Sequence, residues 1–144
     1  MSTNPFVGTW QLISNETKDA SGEVSHPFGK NATGYLIYNQ DGYMALTIMG
    51  ANRGRFASAD IRAGSPEEKL AAFDTYLSYC GTYEVKGDKV LHHIECSLFP
   101  NWSGVDQVRF FEFSGDQLTL RTPPMALGGM ERTVQLIWQR AAMR

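Results

Sequence analysis

The residues best suited to acid–base chemistry lie on one predicted strand, where His93, Glu95 and Ser97 occupy alternate positions. Because successive side chains of a strand point to opposite faces, these three are expected to share one face. If the turn near Trp102 returns the chain beside this strand, Arg109 lies next to them. A buried cluster of His93, Glu95 and Arg109 would have perturbed pKa values, as a general acid or base requires. The same spacing is also typical of a solvated face with cross-strand charge pairs.

Polar and aromatic side chains elsewhere are candidates to bind a ligand beside that cluster. Aromatic rings supply contact area, and tyrosine adds a hydroxyl group. The candidates are Tyr35, Tyr43, Arg55, Phe56, Tyr83, Ser97, Trp102, Gln107, Phe111 and Arg121. Arg55 and Phe56 belong to a long segment, 50–64, which together with 123–130 is a candidate lid, since long loops often cover binding sites.

Metal and cofactor sites are not indicated by the sequence. His92 and His93 are adjacent, so on a regular strand they point to opposite faces and cannot bind the same ion. A catalytic zinc ion needs three protein ligands, and no such set is apparent. The phosphate-binding glycine motifs and the G-x-S-x-G nucleophile motif are absent from the sequence. We therefore expect neither a metal nor a cofactor.

Composition favours one globular domain over residues 1–144. The net charge is −2 and no two lysine or arginine residues are adjacent in the sequence. This argues against nucleic-acid binding through a basic face. The N-terminus lacks a basic start followed by an apolar stretch, and no apolar segment is long enough to span a bilayer. We expect a cytoplasmic protein without membrane contact, in which Cys80 and Cys96 are free thiols.

Strand patterns dominate the chain. Apolar runs flank Asp41-Gly42, Gly87-Asp88 and Gly115-Asp116, which are typical hairpin turns. The predicted strands are 7–16, 32–39, 43–49, 82–86, 89–97, 105–113, 117–122 and 131–140. Eight strands joined mostly by short turns predict an all-β, antiparallel up-and-down barrel, which has no exposed sheet edge.

One helix is predicted between the third and fourth of these strands. Ser65 is suited to cap its first turn, with Pro66 in the first helical position and Glu68 completing a capping box. Leu70, Phe73 and Leu77 follow at helical spacing, so we expect them to dock the helix on the barrel or to plug one end. Several strands have two half-apolar faces, and this pattern makes a homodimer plausible.

A resemblance to a known family covers nearly the whole chain. Gly8-Thr9-Trp10 resembles the G-x-W start of lipocalins, and further segments resemble the bacterial and fungal lipocalin-like domain family. These segments are 34–38, 41–44, 55–58, 79–83, 97–102, 118–120 and 136–140. The resemblance implies an eight-stranded barrel of about this size. It also implies that a late basic residue stacks on Trp10, and Arg140 is the candidate.

Three functions are consistent with these patterns. The first is binding of a small, partly apolar molecule in the central cavity of the barrel, since an eight-stranded barrel has room for a small ligand. The second is a cofactor-free isomerase, cyclase or dehydratase on a ketide- or terpenoid-like substrate, which would use His93, Glu95 and Arg109. The third is a structural or interaction protein whose barrel is filled by side chains.

Overall fold

The strands of the protein form one continuous antiparallel sheet in the computed structural model, which describes residues 3–144. The first two residues of the predicted domain lie outside the described residues. The strands are β1 (Gly8–Asp19), β2 (Val24–Ser25), β3 (Thr33–Tyr38), β4 (Tyr43–Met49), β5 (Tyr76–Lys86), β6 (Lys89–Ser97), β7 (Asp106–Ser114), β8 (Gln117–Arg121), β9 (Met125–Leu127) and β10 (Met130–Arg140). A helix, α1 (Pro66–Asp74), connects β4 to β5, and a 3₁₀ turn (Pro100–Trp102) connects β6 to β7.

The sheet closes on itself. Its order is β2-β1-β3-β4-β5-β6-β7-β8-β10-β9, and β1 also pairs with β10 along most of its length. The closed ring therefore contains eight strands, to which the short β2 and β9 are added at the sides. This confirms the predicted eight-stranded antiparallel barrel. Closure pairs the backbone groups that an open sheet would leave at its edges.

The fourth barrel strand is longer than predicted. It was expected over 82–86, but β5 begins at Tyr76. The reason is its partner strand, because β4 pairs with β5 from Tyr43 opposite Thr82 to Met49 opposite Tyr76. The additional residues include Tyr79, whose side chain is buried in the barrel.

The helix has the predicted N-terminus but not the predicted packing. The Ser65 side chain accepts a bond from the Glu68 backbone, and the Glu68 carboxylate accepts one from the Ser65 backbone, which confirms the capping box. The expected helical face is wrong for Leu70 and Leu77, whereas Phe73 lies on α1 and borders the inside of the barrel. Leu77 belongs to β5, and Leu70 on the helix is 62% exposed. Because α1 ends at Asp74, the helix is too short to contain all three of the predicted apolar residues. None of its residues is buried.

One end of the barrel is closed by the chain that precedes β1. The Phe6 ring is buried against Tyr38, Phe111 and Phe113. The Trp10 indole nitrogen donates to the Phe6 carbonyl over 2.9 Å. This end is therefore filled by aromatic rings, and any space for a ligand lies toward the other end.

The expected basic residue covers the tryptophan of the first strand. The Arg140 guanidinium carbon lies 4.2 Å from the centre of the Trp10 ring. The same group donates to the carbonyls of Val7 and Pro5 over 3.0 and 2.9 Å. This confirms the stacking that the resemblance implied. Arg140 thus connects the last strand to the segment that closes the barrel.

Candidate functional site

A cavity of about 350 Å³ occupies the barrel toward the end opposite Phe6. Apolar side chains from several strands form its walls, among them Leu46, Ile48, Leu120 and Leu136. Other residues surround its mouth, including Phe28, Phe73, Phe99, Trp102, Met125 and Leu127. A larger groove of about 600 Å³ beside the C-terminal residues lies outside the barrel. The inner cavity is the concave site whose lining combines apolar walls with buried polar groups, as in typical small-molecule sites.

A buried histidine between two tyrosines forms part of the cavity floor. The Tyr38 hydroxyl lies 2.6 Å from Nε2 of His92, and the Tyr79 hydroxyl lies 2.8 Å from Nδ1. Burial, reinforced by the nearby charge of Arg109, lowers the pKa of His92 to about 3. Burial also raises the pKa of both tyrosines. At neutral pH all three groups are therefore uncharged.

The protons of this trio are inferred from which of its groups can find a hydrogen-bond partner. A neutral imidazole has one donor nitrogen and one acceptor nitrogen. Among residues 3–144 the Tyr38 hydroxyl has no other hydrogen-bond partner than Nε2 of His92, so it donates there. Nδ1 then carries the proton and donates to the Tyr79 oxygen. Tyr79 lines the cavity, and its own hydroxyl proton is left to donate into that space.

Arg109 supplies the charge at the cavity floor. Its side chain lines the cavity, and the residue is 7% exposed. One terminal nitrogen donates to the Gln107 side-chain oxygen over 3.3 Å and to the Val108 carbonyl over 2.9 Å. No ion pair to Arg109 is found within residues 3–144. A guanidinium group keeps its charge in proteins, so the floor is positively charged.

Comparison with known proteins places the chain in a family. A family model described as a lipocalin-like domain matches residues 7–141. The chain belongs to the lipocalin-like domain family. This confirms the resemblance noted in the sequence. A relative from Aspergillus oryzae, the "4'-hydroxy-3'-methoxypropiophenone carrier protein ppsC", is 29% identical over 106 residues, which are 67% of this chain and 96% of the relative. A solved structure of a mutant of the fluorescent protein UnaG covers 94% of this chain and 96% of its own, with 14% identity and a TM-score of 0.40.

The lipocalin-like barrel does not assemble the predicted acid–base cluster. Arg109 faces the interior, but the His93 side chain is 33% exposed and Glu95 is exposed. His93 contacts Asp106 and Glu84 on the outer face, at 2.7 and 3.2 Å. These contacts raise the pKa of His93. The expectation that His93 and Glu95 point inward is wrong, and a catalytic role of these residues stays a prediction.

A bulge in β6 explains part of this difference. Cys80 pairs with Cys96 and Gly81 pairs with Ile94, so Glu95 is an additional residue without a partner on β5. A β-bulge reverses which side chains face inward beyond it. A side chain at Gly81 would overlap the His93 backbone carbonyl, so the close approach of the strands here requires glycine.

Five of the predicted site residues lie on strands and face the interior. Cross-strand partners share a face, and the register places Ser97 beside Tyr79, Tyr83 and Gln107 beside His92, Arg109 beside Val90 and Phe111 beside Leu120. The Ser97 hydroxyl is buried and has no partner within residues 3–144. Of the ten predicted ligand-binding residues, however, only Trp102 lines the cavity itself, together with Arg109 from the predicted acid–base cluster. Tyr83 and Phe111 pack near Phe6 at the closed end.

The remaining predicted ligand-binding residues lie outside the cavity. Tyr35 and Tyr43 are exposed on the outer face. Arg121 is also exposed and contacts Glu112 over 3.4 Å. Arg55 and Phe56 line a surface groove between segment 50–64 and α1. These five side chains do not line the cavity, and a role for them in ligand binding stays a prediction.

The two candidate lids differ in where they lie. Segment 50–64 is held on α1, where Arg53 donates to the Thr75 hydroxyl and the Ala72 carbonyl over 3.0 and 2.9 Å. It contributes no residue to the lining of the cavity. Segment 123–130 includes β9, and Met125 and Leu127 lie at the cavity mouth. Only the second segment is placed to cover the entrance.

Sequence reasoning missed Tyr38, Tyr79 and His92 as site residues. One signal was available, because His92 alternates with Val90 and Ile94, whereas His93 alternates with Glu95. The first pattern is the more apolar, as expected for the inner face. Among residues 3–144 no group of three or more ionisable side chains is arranged to hold a metal ion. Within the same residues, no helix is both long and apolar enough to cross a membrane.

Proposed function

We propose that this lipocalin-like protein is a carrier that binds a small, partly apolar molecule in the cavity of the barrel. The observation that carries the proposal is the cavity of about 350 Å³, with leucine and isoleucine walls and the polar floor of Tyr79, His92 and Arg109. This volume lies at the lower end of the range for small-molecule sites. Apolar walls supply binding energy, while a few fixed polar groups orient the ligand.

The relative from Aspergillus oryzae supports the kind of ligand. It is named as a carrier of 4'-hydroxy-3'-methoxypropiophenone, an aromatic ketone that bears a phenol. A molecule of this class would place its ring against apolar side chains such as Leu120 and Trp102 and its oxygen atoms toward the floor. Aromatic rings at the mouth, including Phe99 and Trp102, favour a ligand with a flat ring.

Calorimetric titration with 4'-hydroxy-3'-methoxypropiophenone tests the proposal. The expected result is saturable binding at one site per chain. A Leu136→Trp variant narrows the cavity and should weaken this binding strongly, because Leu136 lines the wall. An Ile13→Trp variant is the matched control, since Ile13 is 48% exposed. Thermal unfolding and circular dichroism establish that both variants are folded.

Two results would contradict a carrier cavity. The first is the absence of saturable binding of this ketone, and of related aromatic ketones, to the wild-type protein. The second is binding that survives unchanged in a folded Leu136→Trp variant. If Leu136→Trp does not fold, the fluorescence of Trp102 provides a separate test, because a ligand in the cavity lies beside that indole.

The cofactor-free enzyme finds less support than the carrier. His93 and Glu95 do not meet Arg109, and the buried His92 has a pKa of about 3, which makes it a weak base at neutral pH. An isomerase, cyclase or dehydratase activity therefore stays a prediction from the sequence. The cytoplasmic location and the homodimer also stay predictions.

A further inference from the structure

The cavity floor has a positive charge without a negative partner. Arg109 is almost completely buried, and its hydrogen bonds go to neutral oxygen atoms, those of Gln107, Val108 and Tyr79. A buried charge is unfavourable unless an opposite charge or several hydrogen bonds compensate it. Guanidinium groups carry five N–H donors, which is more than these three bonds use. Donors of Arg109 are therefore available to a ligand.

The other ionisable groups that line the cavity do not neutralise this charge. They are Asp74, Tyr76, Tyr79 and His92. His92 is neutral, and Tyr79 keeps its proton because burial raises its pKa. Asp74 is exposed at the end of α1 and makes no ion pair with Arg109 within the described part of the chain. A ligand that enters the cavity thus encounters a net positive floor.

A second donor lies beside the guanidinium group. With Nδ1 of His92 as the donor, the Tyr79 oxygen accepts and its own hydroxyl proton remains free to bond a ligand, since Tyr79 lines the cavity. The charge of Arg109 and a hydrogen bond from its side chain both oppose the rise in the pKa of Tyr79, so the two groups lie side by side. Two donors, one of them charged, match an anionic oxygen atom, and charge-assisted hydrogen bonds are the strongest of their kind.

We infer that the cavity selects organic acids, whose carboxylate or phenolate oxygen binds at the floor between Arg109 and the Tyr79 hydroxyl. This inference rests on the proposed carrier function and specifies its ligand class. The apolar part of the ligand then extends along Leu120 and Leu136 toward Trp102 at the mouth. A neutral ligand of the same shape fits the walls but leaves the charge of Arg109 uncompensated.

Two pairs of matched compounds test the charge requirement by calorimetric titration. The first pair is 4-propionylbenzoate and its methyl ester, and the second is 4'-hydroxy-3'-methoxypropiophenone and its 4'-O-methyl ether. For the wild-type protein we expect the acid of at least one pair to bind about tenfold or more tightly than its neutral partner. The pair that shows the difference identifies whether the anion is a carboxylate or a phenolate.

Substitution of the charged residue assigns the effect to the floor. Arg109→Gln should reduce the preference for the acid to about twofold or less, with the affinity for the neutral compound little changed. The matched control is Arg121→Gln, because Arg121 is an exposed arginine on the outer face. It should keep the wild-type preference. Arg109→Lys keeps the charge and should keep part of the preference.

The results separate this inference from the carrier function. If acid and neutral compounds bind the wild-type protein equally, or if the preference survives in Arg109→Gln, the anion site is overturned while the carrier function stands. If none of the four compounds binds, both are overturned. The wild-type comparison needs no variant, so it decides the matter even if Arg109→Gln does not fold.

Discussion

Two adjacent histidines provide a test of which strand face points into the barrel. His92 is buried between the hydroxyls of Tyr38 and Tyr79, whereas His93 is partly exposed on the outer face. We predict that His92→Leu lowers the free energy of unfolding by about 1–3 kcal/mol, because the Tyr38 hydroxyl is left buried without a partner. His93→Leu removes only partly exposed ion pairs and should lower it by less than about 1 kcal/mol.

The predicted loss of unfolding free energy in His92→Leu depends mainly on the hydroxyl group of Tyr38. Tyr38 is 1% exposed, so its hydroxyl cannot turn to water when the imidazole is removed. Tyr79 faces the cavity and can be hydrated there. Leucine is close to histidine in size, so the contribution of an empty space is small. If this reasoning is correct, the double variant Tyr38→Phe/His92→Leu should recover about 1 kcal/mol or more relative to His92→Leu alone.

Acid sensitivity gives a second measure of the same site. The pKa of His92 is about 3 in the folded chain and 6.5 without burial. Between these values the unfolded chain binds a proton that the folded chain does not. The contribution of His92 to stability is therefore complete above pH 6.5 and falls as the pH decreases toward 3, with a slope of at most about 1.4 kcal/mol per pH unit. His92→Leu should remove this part of the slope.

His93 changes stability in the opposite direction with pH. Its pKa is raised in the folded chain by Asp106 and Glu84. Its contribution is therefore present below its unfolded pKa and is lost as the pH rises through the folded value. Urea unfolding followed by circular dichroism at about pH 5 and about pH 7 measures both effects. A larger loss of stability in His93→Leu than in His92→Leu would refute the placement of the two residues.

Three further substitutions test the barrel and its helix, the first two by urea unfolding and the third by hydrogen exchange. Arg140→Met removes the stacking on Trp10 and two hydrogen bonds to backbone carbonyls, and should lower the free energy of unfolding by about 2–3 kcal/mol. Arg140→Lys should recover part of this loss. Equal stability of Arg140→Met and wild type would contradict this role. Gly81→Ala places a methyl group against strand backbone and should cost about 2 kcal/mol or more, whereas Gly54→Ala meets open space and should be nearly neutral. Ser65→Ala removes the helix cap and should increase amide hydrogen exchange in the first turn of α1, corresponding to about 1 kcal/mol; exchange identical to wild type would show that the cap is not needed.

The barrel was predictable because its signals are local. Alternating strands and the turns at Gly42, Gly87 and Gly115 lie within short stretches of sequence, and each adopts the left-handed backbone that such turns need. The capping box of α1 is equally local. The start of β5 at Tyr76 was not predictable in this way, because it depends on pairing with β4.

The site was harder to predict because it depends on which alternate residues of each strand point into the barrel. On β7 the alternation correctly placed Gln107, Arg109 and Phe111 on one face, and no bulge disturbs that strand. On β6 a single additional residue, Glu95, reverses the phase, and the sequence does not mark it. A shift by one position changes which of His92 and His93 faces the interior of the barrel. The contribution of Tyr79 further depends on β5 being longer than expected.

Intermolecular nuclear Overhauser effects test the central claim, which is that the ligand binds inside the barrel above the Arg109 floor. The experiment uses the isotope-labelled full chain saturated with whichever of the four aromatic ketones binds most tightly. We predict contacts from the ligand ring to the Trp102 indole and to the methyl groups of Leu120 and Leu136. Contacts confined to residues outside the barrel, such as Tyr43, would contradict the proposed carrier site.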